Sequence, residues 1–99
     1  MRTHKIGTRD VSRARVMLSR QRALDHLLTA VVAPITTTAR GLPSEVAVGV
    51  AEGLKQPCVV NLDHLYTVAQ ADLKKFVGTL DARKMDAVCS ALAVALGCA

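Results

Sequence analysis

The sequence predicts a mainly β protein: a small, strongly bent antiparallel barrel with one helix packed against it. Short apolar runs bounded by turn residues recur at intervals of about eight to twelve residues. Near the C-terminus the apolar spacing changes to three and four residues, which indicates a single amphipathic helix. We expect one domain over residues 1–99, with one core and little room for a buried cofactor site.

The first predicted strand, residues 15–19, begins inside a basic region, and residues 20–27 show the spacing of one or two helical turns. The run from 28 to 35 is continuous, apolar and rich in β-branched residues, which predicts a central strand buried on both faces. Because Pro34 lacks a backbone N–H, we expect this strand to bend there or to expose an edge.

A turn is predicted at residues 40–43. A half-solvated strand is expected at residues 44–48 and a loop at 49–57. Two short strands follow at 58–62 and 65–68, close enough in sequence to be neighbours. A helical turn is expected at 69–74 and a short strand at 76–80.

The terminal helix is predicted to begin after Asp81, which can cap it, and to close at Gly97. Its apolar stripe consists of Met85, Val88, Leu92 and Leu96.

The positive charge is concentrated at one end of the chain. Residues 1–22 carry a net charge of +6, whereas residues 23–99 carry −1. Such a local field attracts a polyanion, with RNA, DNA or an acidic protein segment as candidates, and a solvated basic arm is the alternative. With one Tyr, one Phe and no Trp, stacking of many bases on aromatic side chains is not expected.

Three cysteines without paired spacing favour neither a disulfide framework nor a zinc ribbon, and the histidines are scattered. No apolar run reaches the roughly 18 residues that span a bilayer, and the basic N-terminus lacks an apolar signal segment. We therefore expect a cytoplasmic protein without a metal, a cofactor or a membrane partner.

Arginine and threonine chemistry remains as the candidate for catalysis. Arg13 precedes the first predicted strand, and residues 36–38 end the central one, so pairing of these strands would bring Arg13 and a threonine to the same rim. A guanidinium can hold a phosphate with two hydrogen bonds, and a hydroxyl can donate a third. This set suits attack by a ribose 2′-OH, because the substrate supplies its own nucleophile. Ordinary surface and strand roles are the alternative.

Segments 13–20, 32–46, 60–68 and 80–97, in this order and spacing, resemble the MazF/PemK-like toxins of bacterial type II toxin–antitoxin systems. The resemblance implies an SH3-like barrel that acts, as a homodimer, as a metal-independent, sequence-specific endoribonuclease. Such enzymes cleave single-stranded RNA to 2′,3′-cyclic phosphate and 5′-OH ends. The family's catalytic arginine falls on Arg13 and its catalytic threonine on Thr36. A MazE-like antitoxin with an acidic segment would occupy the RNA groove.

Residues expected to contact RNA at the barrel rim are Arg15, Arg40, Ser44, Asp63 and His64. The chain departs from the family at Ala14, which replaces a proline, and at Arg15, which replaces an apolar residue and is expected to point outward. A catalytically impaired protein that binds RNA or titrates an antitoxin is the alternative function. A gyrase poison of the CcdB type is disfavoured, because those toxins depend on a C-terminal tryptophan.

Overall fold

The computed structural model describes residues 4–8, 14–18, 28–73 and 75–98. These residues contain three 3-10 turns, at Val50–Glu52, Leu62–His64 and Gln70–Asp72, and one helix, α1 (Ala82–Ala95). Their strands are β1 (His4–Thr8), β2 (Ala14–Met17), β3 (Thr29–Thr36), β4 (Glu45–Val48), β5 (Cys58–Asn61), β6 (Tyr66–Ala69) and β7 (Lys75–Leu80). The predicted class, mainly β with a C-terminal helix, is confirmed.

The strands form one antiparallel sheet in the order β4-β5-β3-β2-β1-β7, with β6 also paired to β3. In the described part of the chain no pairing joins β4 to β7, so the bent sheet is not a closed barrel. The strands β5 and β6 were expected to be neighbours, but each pairs with β3 instead. The strand β1 was not predicted at all, and it lies between β2 and β7.

β3 is the central strand, as expected. One of its edges pairs with β2, and the other pairs first with β6 over residues 29–32 and then with β5 over 35–36. Pro34 lies opposite Arg15 on the β2 side and between the β6 and β5 pairings on the other side. The exposed edge expected at Pro34 is therefore confirmed, because no paired strand requires its missing N–H there.

The main core lies between the sheet and α1. Its members are buried apolar side chains from both layers: Ile6, Val16, Ala33, Val46, Val48, Val60, Leu62, Leu80, Met85, Val88 and Ala91. A smaller cluster on the other side of the sheet consists of Met17, Ala30, Val32 and Leu73. The expectation that β3 is buried on both faces is wrong at Val31, which is 38 % exposed. This end of β3 stays open because α1 packs near β4 and β7 instead.

Both predicted ends of α1 are confirmed. The Asp81 carboxylate accepts a hydrogen bond from the Lys84 N–H at 2.9 Å, and Gly97 adopts a left-handed φ of 74° while its N–H donates to the Val94 carbonyl at 3.1 Å. Burial of Leu96 was wrong: it is 64 % exposed, because the helix ends at Ala95 and Leu96 lies in the turn that follows. The helical turns predicted for 20–27 lie outside the described residues. Within those residues, no helix has the length and apolarity that a membrane crossing requires.

Candidate functional site

Thr36 is the last residue of β3 and lies opposite Val59 of β5. Its side chain is half-buried, and its Oγ1 accepts a hydrogen bond from the Thr38 backbone N–H at 3.2 Å. This bond fixes the hydroxyl oxygen where the chain leaves the sheet. Because the hydroxyl oxygen is the acceptor, its own proton remains available for donation to a ligand. Thr37 and Thr38 are exposed, so Thr36 differs from its neighbours in being half-buried at the strand end.

The loop that follows β3 is held by the Glu45 carboxylate at the start of β4. This carboxylate accepts hydrogen bonds from the Arg40 N–H, at 3.0 and 3.3 Å, and from the Leu42 N–H at 3.2 Å. Gly41 between them has a φ of 69°, a conformation that side-chain-bearing residues rarely adopt. The exposed Arg40 side chain therefore extends from a fixed backbone. The sequence analysis missed Glu45, although an acidic residue directly after a turn is a recognisable backbone acceptor.

Ser44 and Asp63 lie together. Ser44 is only 5 % exposed, and its hydroxyl donates a hydrogen bond to the Asp63 carboxylate. The Ser44 carbonyl also accepts from the Leu62 N–H at 3.0 Å, and the Asn61 side chain accepts from the Asp63 N–H at 3.0 Å. These bonds join the loop before β4 to the 3-10 turn that carries the exposed His64.

Arg15 lies in β2 opposite Gly7 of β1 and Pro34 of β3. Since side chains alternate along a strand, Arg15 shares a face of the sheet with Pro34 and Thr36, opposite the face that bears Val16 and Ala33. Arg15 points away from the core under α1, as expected for an arginine inside a strand, but it is only 9 % exposed. Its guanidinium carbon lies 5.5 Å from the centroid of the Tyr66 ring.

The remaining catalytic candidate, Arg13, lies outside the described residues. Tyr66 was not singled out from the sequence, because a lone tyrosine in an apolar run gives no signal until β6 is placed beside β3. Within the described residues there is no group of three or more His, Cys, Asp or Glu side chains that could hold a metal ion. The described site therefore combines a held hydroxyl, a buried guanidinium and a rim of exposed polar groups.

The sequence and the fold agree with one group of known proteins. The family model described as the PemK-like, MazF-like toxin of type II toxin–antitoxin systems matches residues 4–96. The chain is 40 % identical to Endoribonuclease MazF3 of Mycobacterium tuberculosis over 92 residues, which cover 93 % of this chain and 89 % of the relative.

Solved structures give the same result. The Mycobacterium tuberculosis toxin MazF-mt6 superposes with a TM-score of 0.86 at 38 % identity and 97 % coverage of both chains. A mycobacterial endoribonuclease in complex with its cognate antitoxin superposes with a TM-score of 0.80 at 26 % identity, covering 96 % of this chain and 91 % of that one. The chain belongs to the PemK-like, MazF-like toxins of type II toxin–antitoxin systems.

Proposed function

We propose that this protein is the toxin of a type II toxin–antitoxin system and cleaves single-stranded RNA at specific sequences. The reaction leaves a 2′,3′-cyclic phosphate and a 5′-OH and uses no metal. The observation that carries the proposal is Thr36, whose hydroxyl is held at the end of β3 by the Thr38 N–H and keeps its proton for a ligand. The 40 % identity to an endoribonuclease over nearly the full chain supports the same activity.

Arg13 is the second catalytic residue that we propose. It directly precedes Ala14, the first residue of β2. The antiparallel register of Arg15 with Pro34 runs the start of β2 beside the end of β3, where Thr36 lies. This register supports the assignment of Arg13, the residue before β2, as the partner of Thr36 in the reaction.

The chemistry needs few groups. The ribose 2′-oxygen attacks the adjacent phosphorus, the bond from phosphorus to O5′ breaks, and the proton lost by the 2′-OH is balanced by the proton gained at O5′. Arg13 holds the phosphate through two hydrogen bonds and stabilises the charge that develops on its oxygens. Thr36 donates a further hydrogen bond to the same oxygens. Because the nucleophile belongs to the substrate, no water has to be activated.

The rim residues contribute to RNA binding in different ways. Arg40 and His64 are exposed and are assigned to direct contacts. Ser44 and Asp63 bond to each other, so we assign them to holding the rim in place as well as to contacting RNA through the exposed carboxylate. The basic N-terminal region supplies the field that draws the RNA towards this rim.

We further propose that the protein acts in the cytoplasm as a homodimer and is blocked by a MazE-like antitoxin. A relative in the same family was solved in complex with its cognate antitoxin. An acidic antitoxin segment and an RNA backbone are both polyanions, so one basic groove can bind either of them. Competition for this groove would couple antitoxin binding to loss of cleavage.

Incubation of the purified protein, in EDTA, with a long unstructured RNA tests the proposal when the fragment ends are mapped. We expect discrete cuts with 5′-OH ends, and none with Arg13→Ala. Absence of cuts from folded protein that still binds RNA would overturn the proposal and favour the catalytically impaired binder. In that case Ala14 and Arg15, the departures from the family pattern, are the first positions to revert.

A further inference from the structure

Arg15 is a buried cation whose hydrogen-bonding capacity is incompletely used. In the part of the chain that the structure describes, its Nε finds no hydrogen-bond partner. A guanidinium removed from water is costly unless an acceptor replaces the lost hydration. An unsatisfied donor of this kind, in a fold that departs here from its family's apolar residue, indicates a ligand that supplies the acceptor.

Among the residues that the structure describes, those opposite Arg15 in the sheet give its guanidinium no acceptor. Its two cross-strand neighbours, Gly7 and Pro34, carry no polar side-chain atoms. Leu73 covers the Gly7 side, since a Cβ placed on Gly7 would lie 3.3 Å from the Leu73 Cβ. The Tyr66 ring lies 5.5 Å from the guanidinium carbon, within the range of a cation–π interaction. The ring attracts the charge but does not replace a hydrogen-bond acceptor for Nε, whose N–H lies in the guanidinium plane.

The position of Arg15 places it beside the proposed cleavage site. Pro34 lies opposite Arg15, and Thr36 is two residues further along β3 on the same face, an advance of about 7 Å along the strand. Tyr66 lies opposite Val32, which is on this face too, and the residue is 38 % exposed. A nucleotide that neighbours the scissile phosphate can therefore reach the guanidinium while its base contacts the ring.

We propose that Arg15 and Tyr66 form a nucleotide subsite that receives a coplanar pair of acceptor atoms from the RNA. This deepens the proposed function and rests on it for the identity of the ligand. The acceptor pair belongs either to the nonbridging oxygens of a phosphate or to O6 and N7 of a guanine, both of which match the spacing of two guanidinium donors. The partly exposed tyrosine favours RNA over an acidic peptide, because an aromatic ring can stack with a base.

The test uses two variants of the subsite and one control. Arg15→Met keeps an unbranched apolar chain and removes the charge, whereas Arg15→Lys keeps the charge and removes the paired donors. The control, Arg83→Met, removes an exposed arginine from α1. Binding is measured over a range of salt concentrations with random-sequence 2′-O-methyl RNA, which lacks the attacking hydroxyl. Cleavage motifs are mapped on random-sequence RNA.

The two sources of the acceptor pair give different results. If the ligand is a phosphate, Arg15→Met weakens binding of all sequences about tenfold, lowers the salt slope by about 0.7 and leaves the motif unchanged, with partial rescue by Lys. If it is a guanine, the variant loses about tenfold or more of the discrimination at one motif position, and Lys does not restore it. Arg83→Met changes neither.

Three outcomes overturn the subsite. One is an Arg15→Met protein with the wild-type affinity, salt slope and motif. The second is a lowered melting temperature as the only change, which would make Arg15 a structural residue. The third is lost affinity for an oligoglutamate peptide with RNA binding intact, which would assign the site to an acidic polypeptide.

Tyr66→Leu provides a second probe of the subsite, which remains usable if the Arg15→Met protein does not fold. We expect it to change binding or the motif in the same direction as Arg15→Met, and unchanged binding and motif would overturn the role of the ring. The proposed function fails separately, when wild-type protein cuts no RNA. The 2′-O-methyl RNA measurement still tests the subsite in that case, because it requires binding and no cleavage.

Discussion

The two faces of the sheet differ in what they bury. The face under α1 is closed entirely by apolar side chains, among them Val16 of β2 and Ala33 of β3. The opposite face, built by the same two strands, combines a small apolar cluster with the buried guanidinium of Arg15 and the held hydroxyl of Thr36. Because alternate residues point to opposite faces, one strand supplies a core residue and a functional candidate side by side.

The difference between the two faces indicates which substitutions should change stability and which should change ligand binding. Substitutions in the core under α1 are expected to act on packing, since its members are buried apolar side chains. Substitutions of the polar groups on the second face are expected to act mainly on ligands, since the Arg15 Nε has no partner among the described protein atoms. Departures from local folding rules, such as an arginine inside a strand, are expected at functional positions.

The largest effect is expected for Arg13→Ala. Loss of an arginine that stabilises a phosphoryl transition state costs about 10³-fold or more in rate, and the melting temperature should stay nearly unchanged. Initial rates on an RNA that contains the mapped motif measure this. Arg83→Ala, on the exposed surface of α1, is the matched control. Equal loss in both variants would show that net charge alone, not position 13, explains the effect.

Thr36→Ala is expected to slow cleavage by about 10²–10³-fold, the usual cost of one transition-state donor. Thr36→Ser keeps the hydroxyl that bonds to the Thr38 N–H, so it should recover much of the rate. Thr37 is adjacent and exposed, so Thr37→Ala serves as the control and should cut normally. A Thr36→Ala protein that cuts at the wild-type rate would remove this residue from the mechanism.

On the apolar face, Met85→Ala should reduce the free energy of unfolding by about 3 kcal/mol, because it leaves a cavity between α1 and the sheet. Leu96→Ala removes a large side chain from the same end of the chain but from an exposed position, so a change within about 0.5 kcal/mol is expected. Denaturant unfolding measures both. Similar losses in the two variants would contradict the assignment of the core.

The sequence predicted the elements whose signals are local. The ends of α1 follow from Asp81 and Gly97, and β3 follows from a continuous β-branched run. The strand β1 was missed because Ile6 is its single large apolar residue, and its strand conformation depends on pairing with β2 and β7. The strands β5 and β6 share one edge of β3 instead of pairing with each other. This arrangement depends on the whole sheet and not on the sequence of either strand.

The same distinction holds for the candidate site. Thr36 and the rim residues were identified through family-like segments, which are local. The burial of Arg15 was not predicted, because it depends on Tyr66, which β6 brings beside β3 from a distant part of the chain. Glu45 holds the loop through backbone N–H groups whose orientation is set by the fold. Long-range contacts of this kind leave no periodicity to detect.

The smallest effect that we predict concerns the link between Ser44 and Asp63. Ser44→Ala removes one hydrogen bond but leaves the exposed carboxylate to water, so a loss of about 1 kcal/mol in stability is expected. Asp63→Ala should cost more, about 1–3 kcal/mol, because it leaves the buried Ser44 hydroxyl without this acceptor.

Ser90→Ala, at an exposed position of α1, is the control and should not destabilise the protein, since alanine is the better helix former. Denaturant unfolding of the three variants and of the Ser44→Ala/Asp63→Ala double variant measures the order of their stabilities. If Ser44→Ala costs more stability than Asp63→Ala, the greater burial of Ser44 does not determine how much this hydrogen bond contributes to stability. The rim would then be held chiefly by the backbone bond from Leu62 to Ser44.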